Sequence, residues 1–181
     1  MTTTPQATVA DLEKVREKAE LVNGEVVVMS PTGALPSRAG GAIYVSLRNY
    51  ERRAGGGLAY PDNAAFIVDL SHRKSFSPDA AFHRGTSPTM KFVQGAPVFA
   101  AEVRSESDYG EAAERAMAAK RADYFAAGTL VVWDVDLVGG DVVRVYRASE
   151  PTTFTAYRRG QVAEAEPALP GWRMAVQELF E

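Results

Sequence analysis

The chain has 181 residues, which suits one domain with one sizeable hydrophobic core. Cysteine is absent and histidine occurs only twice, so disulfides and thiolate metal sites are excluded and a zinc site is disfavoured. A hard cation held by carboxylates is the metal site that this composition permits. The net charge of −3 argues against tight, sequence-independent binding of nucleic acid over a broad basic surface. The polar start and the lack of any stretch long enough for a membrane helix lead us to expect a soluble, cytoplasmic protein.

Residues 1–36 are predicted to form a helix and a β-hairpin that extend the main fold. Apolar residues at helical spacing indicate a short amphipathic helix over residues 9–19. Asn23 and Gly24 then lie between two runs of β-type residues, which is a strong signal for a hairpin.

Residues 37–136 are predicted to form the core of the fold. The apolar spacing indicates a helix over residues 37–54 that ends at Gly55, and a longer helix over residues 108–127 that ends at Gly128. Strands are expected within residues 58–70 and at residues 78–82, 98–103 and 130–133. Because helix, three strands, helix and strand follow in that order, we predict an α/β fold with a mixed central sheet.

Residues 137–181 are predicted to add C-terminal strands and a tail. A strand is expected at residues 142–146, followed by a hairpin around Arg159 and Gly160. Trp133 and Trp172 are interpreted as core residues rather than as platforms for stacked bases.

Two carboxylates lie at the ends of neighbouring predicted strands. Asp79 follows Pro78 at the start of one strand, and Glu102 lies near the end of the next. They could converge on one Mg²⁺, which takes one or two carboxylates and fills its other positions with water and phosphate oxygens. An ionised Glu102 between apolar neighbours is costly unless it is paired or bound to metal. A structural ion pair with an arginine such as Arg104 explains it equally well.

Lys120 lies on the long predicted helix, on or beside a stripe of small and apolar residues. From there its ammonium could reach a carboxylate or an attacking water. The usual alternative for a single helical lysine is a surface position in which only the aliphatic stem packs.

These residues carry a resemblance to a known family. The matching segments occur in order along the chain: Glu20 to Glu25, Met29-Ser30-Pro31, Pro78-Asp79, Glu102-Val103, Lys120 with Tyr124, Trp133-Asp134, and Leu169-Pro170-Gly171. In this order they resemble the Uma2 (DUF820) family of restriction-endonuclease-like proteins, over roughly residues 20–180.

The resemblance implies a PD-(D/E)XK nuclease core that hydrolyses phosphodiester bonds in DNA. Asp79 and Glu102 would bind Mg²⁺, for which Mn²⁺ is expected to substitute, and Lys120 would orient water or stabilise developing charge. The usual position of the lysine, two residues after the acid, is held by Arg104, whose guanidinium cannot act as a base. Lys120 therefore resembles a migrated lysine, and its helix would have to place the ammonium beside Glu102.

Other polar residues near this pattern have open roles. Glu20 or Glu25 could add a carboxylate to the metal site, but for at least one of them we favour an exposed acid of a cross-strand pair. His83 is interpreted as a surface histidine. The family often has Ser-Pro-Ser after the glutamate strand, whereas Glu106 here adds negative charge near the expected phosphate site.

Three functions fit the sequence. The first is a Mg²⁺-dependent endonuclease, expected to be a homodimer because cutting both strands of a duplex is simplest with a two-fold pair. The second is a catalytically silent interaction module on the same scaffold, in which Lys120 only neutralises Asp79 and Glu102. The third is a hydrolase of a smaller phosphate-containing substrate, which suits the acidic net charge.

Overall fold

The computed structural model describes residues 6–85 and 88–181. A short helix, α1 (Val9–Leu12), leads to the hairpin of β1 (Ala19–Val22) and β2 (Glu25–Val28). Asn23 and Gly24 connect the strands with φ angles of 52° and 74°, the left-handed conformation that an Asn-Gly hairpin turn requires. The predicted hairpin is confirmed.

The predicted helix over residues 9–19 is wrong in its second half, because α1 ends at Leu12. Leu12, Ala19 and Leu21 form one buried cluster, which requires the chain to leave the helix and turn back along the hairpin. Here the packing between elements outweighs the local helical spacing.

The remaining elements follow in chain order, and their bounds are: α2 (Ala34–Ala54), β3 (Leu58–Pro61), β4 (Phe66–Ile67), β5 (Ser75–Phe76), β6 (Ala80–His83), β7 (Val93–Gln94), β8 (Phe99–Val103), α3 (Glu111–Ala126), β9 (Val131–Val135), β10 (Val143–Arg147), β11 (Glu150–Tyr157), β12 (Val162–Glu164), β13 (Arg173–Ala175) and a final 3₁₀ helix (Val176–Phe180). Helix α2 begins three residues earlier than predicted. Pro36 fits in its first turn because the missing N–H has no partner to lose there.

The central sheet has six strands in the order β11-β10-β9-β8-β6-β3. Strands β8 and β9 are parallel and are joined through α3, whereas the other neighbours are antiparallel. The mixed α/β sheet predicted from the order of elements is therefore confirmed. In the parallel pair Glu102 lies opposite Asp134, so both side chains project from the same face.

The two faces of the sheet differ in the size of their side chains. On one face Phe82, Phe99 and Trp133 pack against α2 and the C-terminal segment, which supplies Trp172. On the other face Ala81, Ala100 and Val132 leave room for Phe76 and for Tyr124 of α3. Glu102 follows Ala100 by two residues and so belongs to this second, shallower face.

The C-terminal strands pair differently from the prediction. The chain turns at Arg159-Gly160, but β11 pairs with β10 and β12 pairs with β13, so no hairpin joins β11 to β12. The reason is burial, because Ala163 of β12 and Met174 of β13 both cover the core on the α2 side.

His83 is buried, and its interpretation as a surface histidine is wrong. It ends β6, and its ring packs edgewise on Tyr60 and beside Phe66. Burial lowers the pKa of His83, so the ring is neutral within this aromatic group. In the described part of the chain, no helix has both the length and the apolar character to cross a membrane.

The aromatic group formed by Phe99, Trp133 and Trp172 should dominate the stability of the α2 side. Phe99 lies 5.4 Å from Trp133 and 5.3 Å from Trp172 between ring centroids, and all three are almost fully buried. We expect Phe99→Ala to lower the free energy of unfolding by about 3 to 5 kcal/mol, measured by urea denaturation. Phe154→Ala is the control, since Phe154 is 46% exposed and should cost about 1 kcal/mol or less. Equal losses for the two variants would contradict this account of the core.

Candidate active site

The antiparallel pairing of β6 with β8 brings Asp79 and Glu102 to the same end of these two neighbouring strands. Asp79 comes just before β6, and its backbone N–H donates to the carbonyl of Ala101 at 3.1 Å. Its Oδ2 accepts a hydrogen bond of 2.7 Å from the N–H of Val103. Asp79 and Glu102 both line one cleft of about 890 Å³. The start of β6 and the end of β8 thus place the two predicted carboxylates in one cavity.

Lys120 reaches this cleft from α3. Its Nζ lies 2.9 Å from the Glu102 carboxylate, and the Tyr124 hydroxyl donates to the same carboxylate at 2.6 Å. Lys120 and Tyr124 are four residues apart and so share one side of the helix. Tyr124 stacks on Phe76 with ring centroids 3.9 Å apart, which fixes this side of α3 toward the sheet. The structure therefore places the Lys120 ammonium beside Glu102, as a migrated lysine requires.

Glu20 is buried beside Lys120, so it is not the exposed acid of the hairpin. Its Oε1 accepts from the Ser77 N–H and lies 2.9 Å from Lys120 Nζ, while its Oε2 lies 2.5 Å from Arg73. Glu25 is exposed and stands opposite Val22, so the two acids do not form a cross-strand pair. The hairpin thus contributes one carboxylate to the site and leaves the other in solvent.

Lys18 is a functional candidate that the sequence reasoning missed. Its Nζ lies 2.8 Å from Asp79 Oδ1 and 2.6 Å from Asp62 Oδ1, and its side chain is only 15% exposed. The alternation of side chains along a strand could have indicated this residue, because Lys18 lies two residues before Glu20 and so shares its face of the hairpin.

The charges of the buried group control one another. Burial would lower the pKa of Lys120, but Glu102 and Glu20 outweigh it and raise that pKa, so the ammonium stays charged. Burial would raise the pKa of Glu20, but Lys120 and Arg73 hold it below its ordinary value. The pKa of Glu102 is raised by burial and by the nearby charges of Asp79 and Glu20, against the opposing effect of Lys120.

Arg104 does not pair with Glu102, so the structural ion pair expected as the alternative for that acid is not made by this arginine. Its guanidinium makes two hydrogen bonds to Asp134, at 2.7 and 2.8 Å, and also contacts Glu114. The side chain is 2% exposed. Arg104 therefore holds the usual sequence position of the lysine, but its guanidinium binds acids other than Glu102.

The rim of the large cleft is formed by the loop after β8 and by the first turn of α2. Ser105, Glu106 and Asp108 line it on one side, and Leu35 and Pro36 on the other. Glu106 is exposed, so its charge faces the cleft as the sequence suggested. Leu35 and Pro36 belong to the first turn of α2, which begins before the predicted start at residue 37.

A second cavity of about 420 Å³ adjoins the first beneath α3. The two share Met29, Glu102 and Lys120 in their linings. Val27 and Met117 add apolar surface to the second cavity. Glu102 thus lies where the first cleft meets the second cavity, whereas Asp79 lines the first cleft.

The donor set fits Mg²⁺ better than a softer metal. Within residues 6–85 and 88–181, no group of three or more histidine, aspartate or glutamate side chains is arranged to hold a metal. Two carboxylates line the cleft: Asp79 has one oxygen held by the Val103 N–H and the other beside Lys18, whereas both oxygens of Glu102 lie 2.9 Å from Lys120 Nζ. Mg²⁺ suits such a site because it keeps several waters and takes its remaining ligands from phosphate.

Comparison with known proteins places the chain in a family. A family model described as "Putative restriction endonuclease", Uma2, matches residues 7–177. The chain belongs to the Uma2 family. A crystal structure of "a putative nuclease belonging to DUF820 from Anabaena variabilis" is similar, with a TM-score of 0.74 and 14% sequence identity over 96% of this chain and 97% of that chain. At that identity the likeness shows the shared fold. No curated protein matches the sequence.

The two hairpin acids offer a matched test of the buried group. We expect Glu20→Gln to lower the free energy of unfolding at pH 7 by about 2 to 3 kcal/mol, because it leaves Arg73 and Lys120 with less compensating charge. Glu25→Gln should change it by less than about 0.5 kcal/mol. Urea unfolding of both variants provides the measurement, and equal effects would sink the assignment of Glu20 to the buried group.

The Glu20→Gln variant also tests the direction of the Glu20 pKa shift. The pKa of Glu20 in the folded protein lies below the ordinary value of 4.5, so its contribution is fully present above that pH. It is lost as the pH falls through the lowered folded-state pKa. The stability gap between the wild type and Glu20→Gln should therefore narrow in acid below pH 4.5, and a gap that widens there would contradict the shift.

Proposed function

We propose that this protein is a metal-dependent endonuclease that hydrolyses phosphodiester bonds in DNA. The observation that carries the proposal is the position of Lys120 Nζ, 2.9 Å from Glu102, at a cleft that Asp79 also lines. An acid pair with a charged donor beside it is the arrangement that phosphodiester hydrolysis needs.

Each side chain has a distinct role in this proposal. Asp79 and Glu102 would hold Mg²⁺ or Mn²⁺ through carboxylate oxygens. The chemistry that the metal supplies when bound is a lowered pKa for a water and polarisation of the scissile phosphate. Lys120 serves as a hydrogen-bond donor that orients the attacking water and stabilises negative charge on the phosphate oxygens.

Other residues hold these groups in place. The Val103 N–H fixes one oxygen of Asp79, and the Tyr124 hydroxyl fixes one oxygen of Glu102. Glu20 and Glu102 both hold Lys120, so the ammonium cannot swing into solvent without leaving two carboxylates. Such fixed positions reduce the reorganisation that the transition state requires.

The description of the family as restriction endonucleases supports a nucleic-acid substrate. A cytoplasmic homodimer would present two such sites to the two strands of a duplex. The net charge of −3 means that contact with DNA must come from local groups at the cleft rather than from a general basic surface.

Two other functions have an observation in their favour. A silent module is favoured by the lysines, because they already neutralise Asp79 and Glu102 without metal. A hydrolase of a smaller phosphate substrate is favoured by the adjoining cavity of about 420 Å³, which could take the rest of a small molecule. Metal titration separates the first from a nuclease, and a chromogenic phosphodiester offered beside DNA separates the second.

A nicking assay on supercoiled plasmid with Mg²⁺ or Mn²⁺ tests the proposal. We expect cleavage by the wild type, loss of cleavage with chelator, and a fall of about 10²-fold or more in Asp79→Asn and in Lys120→Met. The fall reflects loss of a metal ligand in one variant and of the charged donor in the other.

The exposed pair of Asp69 and Lys74 provides matched controls outside the cleft. Asp69→Asn and Lys74→Met change the same charges and should cleave as the wild type does. Cleavage that is equal in all four variants would come from a contaminant and would remove the nuclease assignment. Metal binding without any cleavage of DNA or of the chromogenic ester would favour the silent module.

A further inference from the structure

Lys18 occupies the side of Asp79 that a metal ion would use. Asp79 Oδ2 is taken by the Val103 N–H, and the remaining oxygen, Oδ1, lies 2.8 Å from Lys18 Nζ. The ammonium is therefore a cation already placed against the open oxygen of a proposed metal ligand. A metal that approaches this oxygen meets both the bulk and the charge of Lys18.

Lys18 also has a second partner close by. Asp62 Oδ1 lies 2.6 Å from the same Nζ, and the Asp62 side chain is 50% exposed in the turn between β3 and β4. Lys18 can thus give up Asp79 and keep Asp62 without losing every charged partner. This distinguishes it from Lys120, whose two partners both belong to the site.

We propose that Lys18 is a tethered competitor of the metal at Asp79, and that Asp62 receives its ammonium when the metal binds. The proposal rests on the proposed function, because it takes Asp79 to be a metal ligand. Without metal, Lys18 neutralises Asp79 and stabilises the site. With metal, Lys18 turns to Asp62, and the balance between these two states sets the metal concentration at which the site fills.

Mg²⁺ and Mn²⁺ titration by calorimetry tests this directly and needs no cleavage. We expect Lys18→Met to bind metal more tightly than the wild type by roughly fivefold, since the metal no longer displaces an ion pair. Asp62→Asn should weaken binding by a similar factor, because Lys18 then has only Asp79. Lys14→Met, which removes an equal charge from a lysine that is 75% exposed, should match the wild type.

The double variant Lys18→Met with Asp62→Asn gives the decisive comparison. If Asp62 acts only through Lys18, Asp62→Asn has no effect on metal affinity once Lys18 is gone. If Asp62→Asn weakens metal binding equally in the wild type and in Lys18→Met, Asp62 is itself a metal ligand and the proposed role is overturned. Because the Asp62 side chain is 50% exposed, the single variant Asp62→Asn tests the exchange whether or not a Lys18 variant folds.

Further outcomes separate this inference from the proposed function. Metal binding that Asp79→Asn abolishes but Lys18→Met leaves unchanged or weakens would overturn the competitor role and leave the metal site standing. Reduced cleavage by Lys18→Met at saturating Mg²⁺, with unchanged affinity, would instead make Lys18 a catalytic group and also overturn it. Absence of metal binding in every variant would overturn both. Thermal melts should agree, with a larger rise in Tm on adding Mg²⁺ in Lys18→Met than in the wild type.

Discussion

The bridge that Lys120 makes between Glu20 and Glu102 connects three parts of the molecule. Glu20 belongs to the N-terminal hairpin, Glu102 to a central strand of the sheet and Lys120 to α3. Helix α3 needs this bridge because Tyr124 is the one fully buried side chain among its described residues. With so little apolar burial, its position depends on polar contacts, and Asp123 adds another by accepting from Arg73 at 2.7 Å. The site and the packing of α3 are therefore the same set of interactions.

The acids around Glu102 are balanced by two different cations, Arg104 after β8 and Lys120 on α3. Glu102 lies opposite Asp134, and Glu114 reaches the same region from α3, so three acids crowd one face of the sheet. An arginine at position 104 neutralises two of them through its planar fork, which a lysine could not do. The third acid, Glu102, is left to Lys120. Arg104 thus balances the charges of Asp134 and Glu114, and Lys120 balances that of Glu102.

The elements that the sequence predicted best are those with local signals. Asn23-Gly24 forms the turn of the first hairpin, and Gly128, with a φ of 106°, follows the end of α3 as predicted. Errors occurred where distant residues decide the outcome. Helix α1 is cut short by packing on the hairpin, and β12 pairs with β13 because both cover the core. His83 was placed at the surface because nothing local shows that Tyr60 and Phe66 would enclose it.

The candidate site shows the same division. Asp79, Glu102 and Lys120 could be named because they lie at strand ends and on a helix in a recognisable order. Arg73 and Lys18 were missed because their partners are 53 and 61 residues away in the chain, and the alternation of Lys18 with Glu20 indicates a shared face without showing what that face meets. Only the closing of the hairpin over the sheet brings them to the carboxylates. Residues that balance the charge of a site can come from any element that happens to cover it, so sequence order carries little information about them.

Charge balance would also limit how the proposed metal site fills. Glu20, Asp79 and Glu102 bring three negative charges, and Lys18, Arg73 and Lys120 bring three positive ones. A divalent ion added to this group creates a surplus of positive charge unless a cation moves away. Arg73 and Lys120 are each held by buried or site acids, so their departure would leave a carboxylate unpaired in the interior. Lys18 alone has a half-exposed partner outside the group, and it is therefore the charge that can leave at least cost.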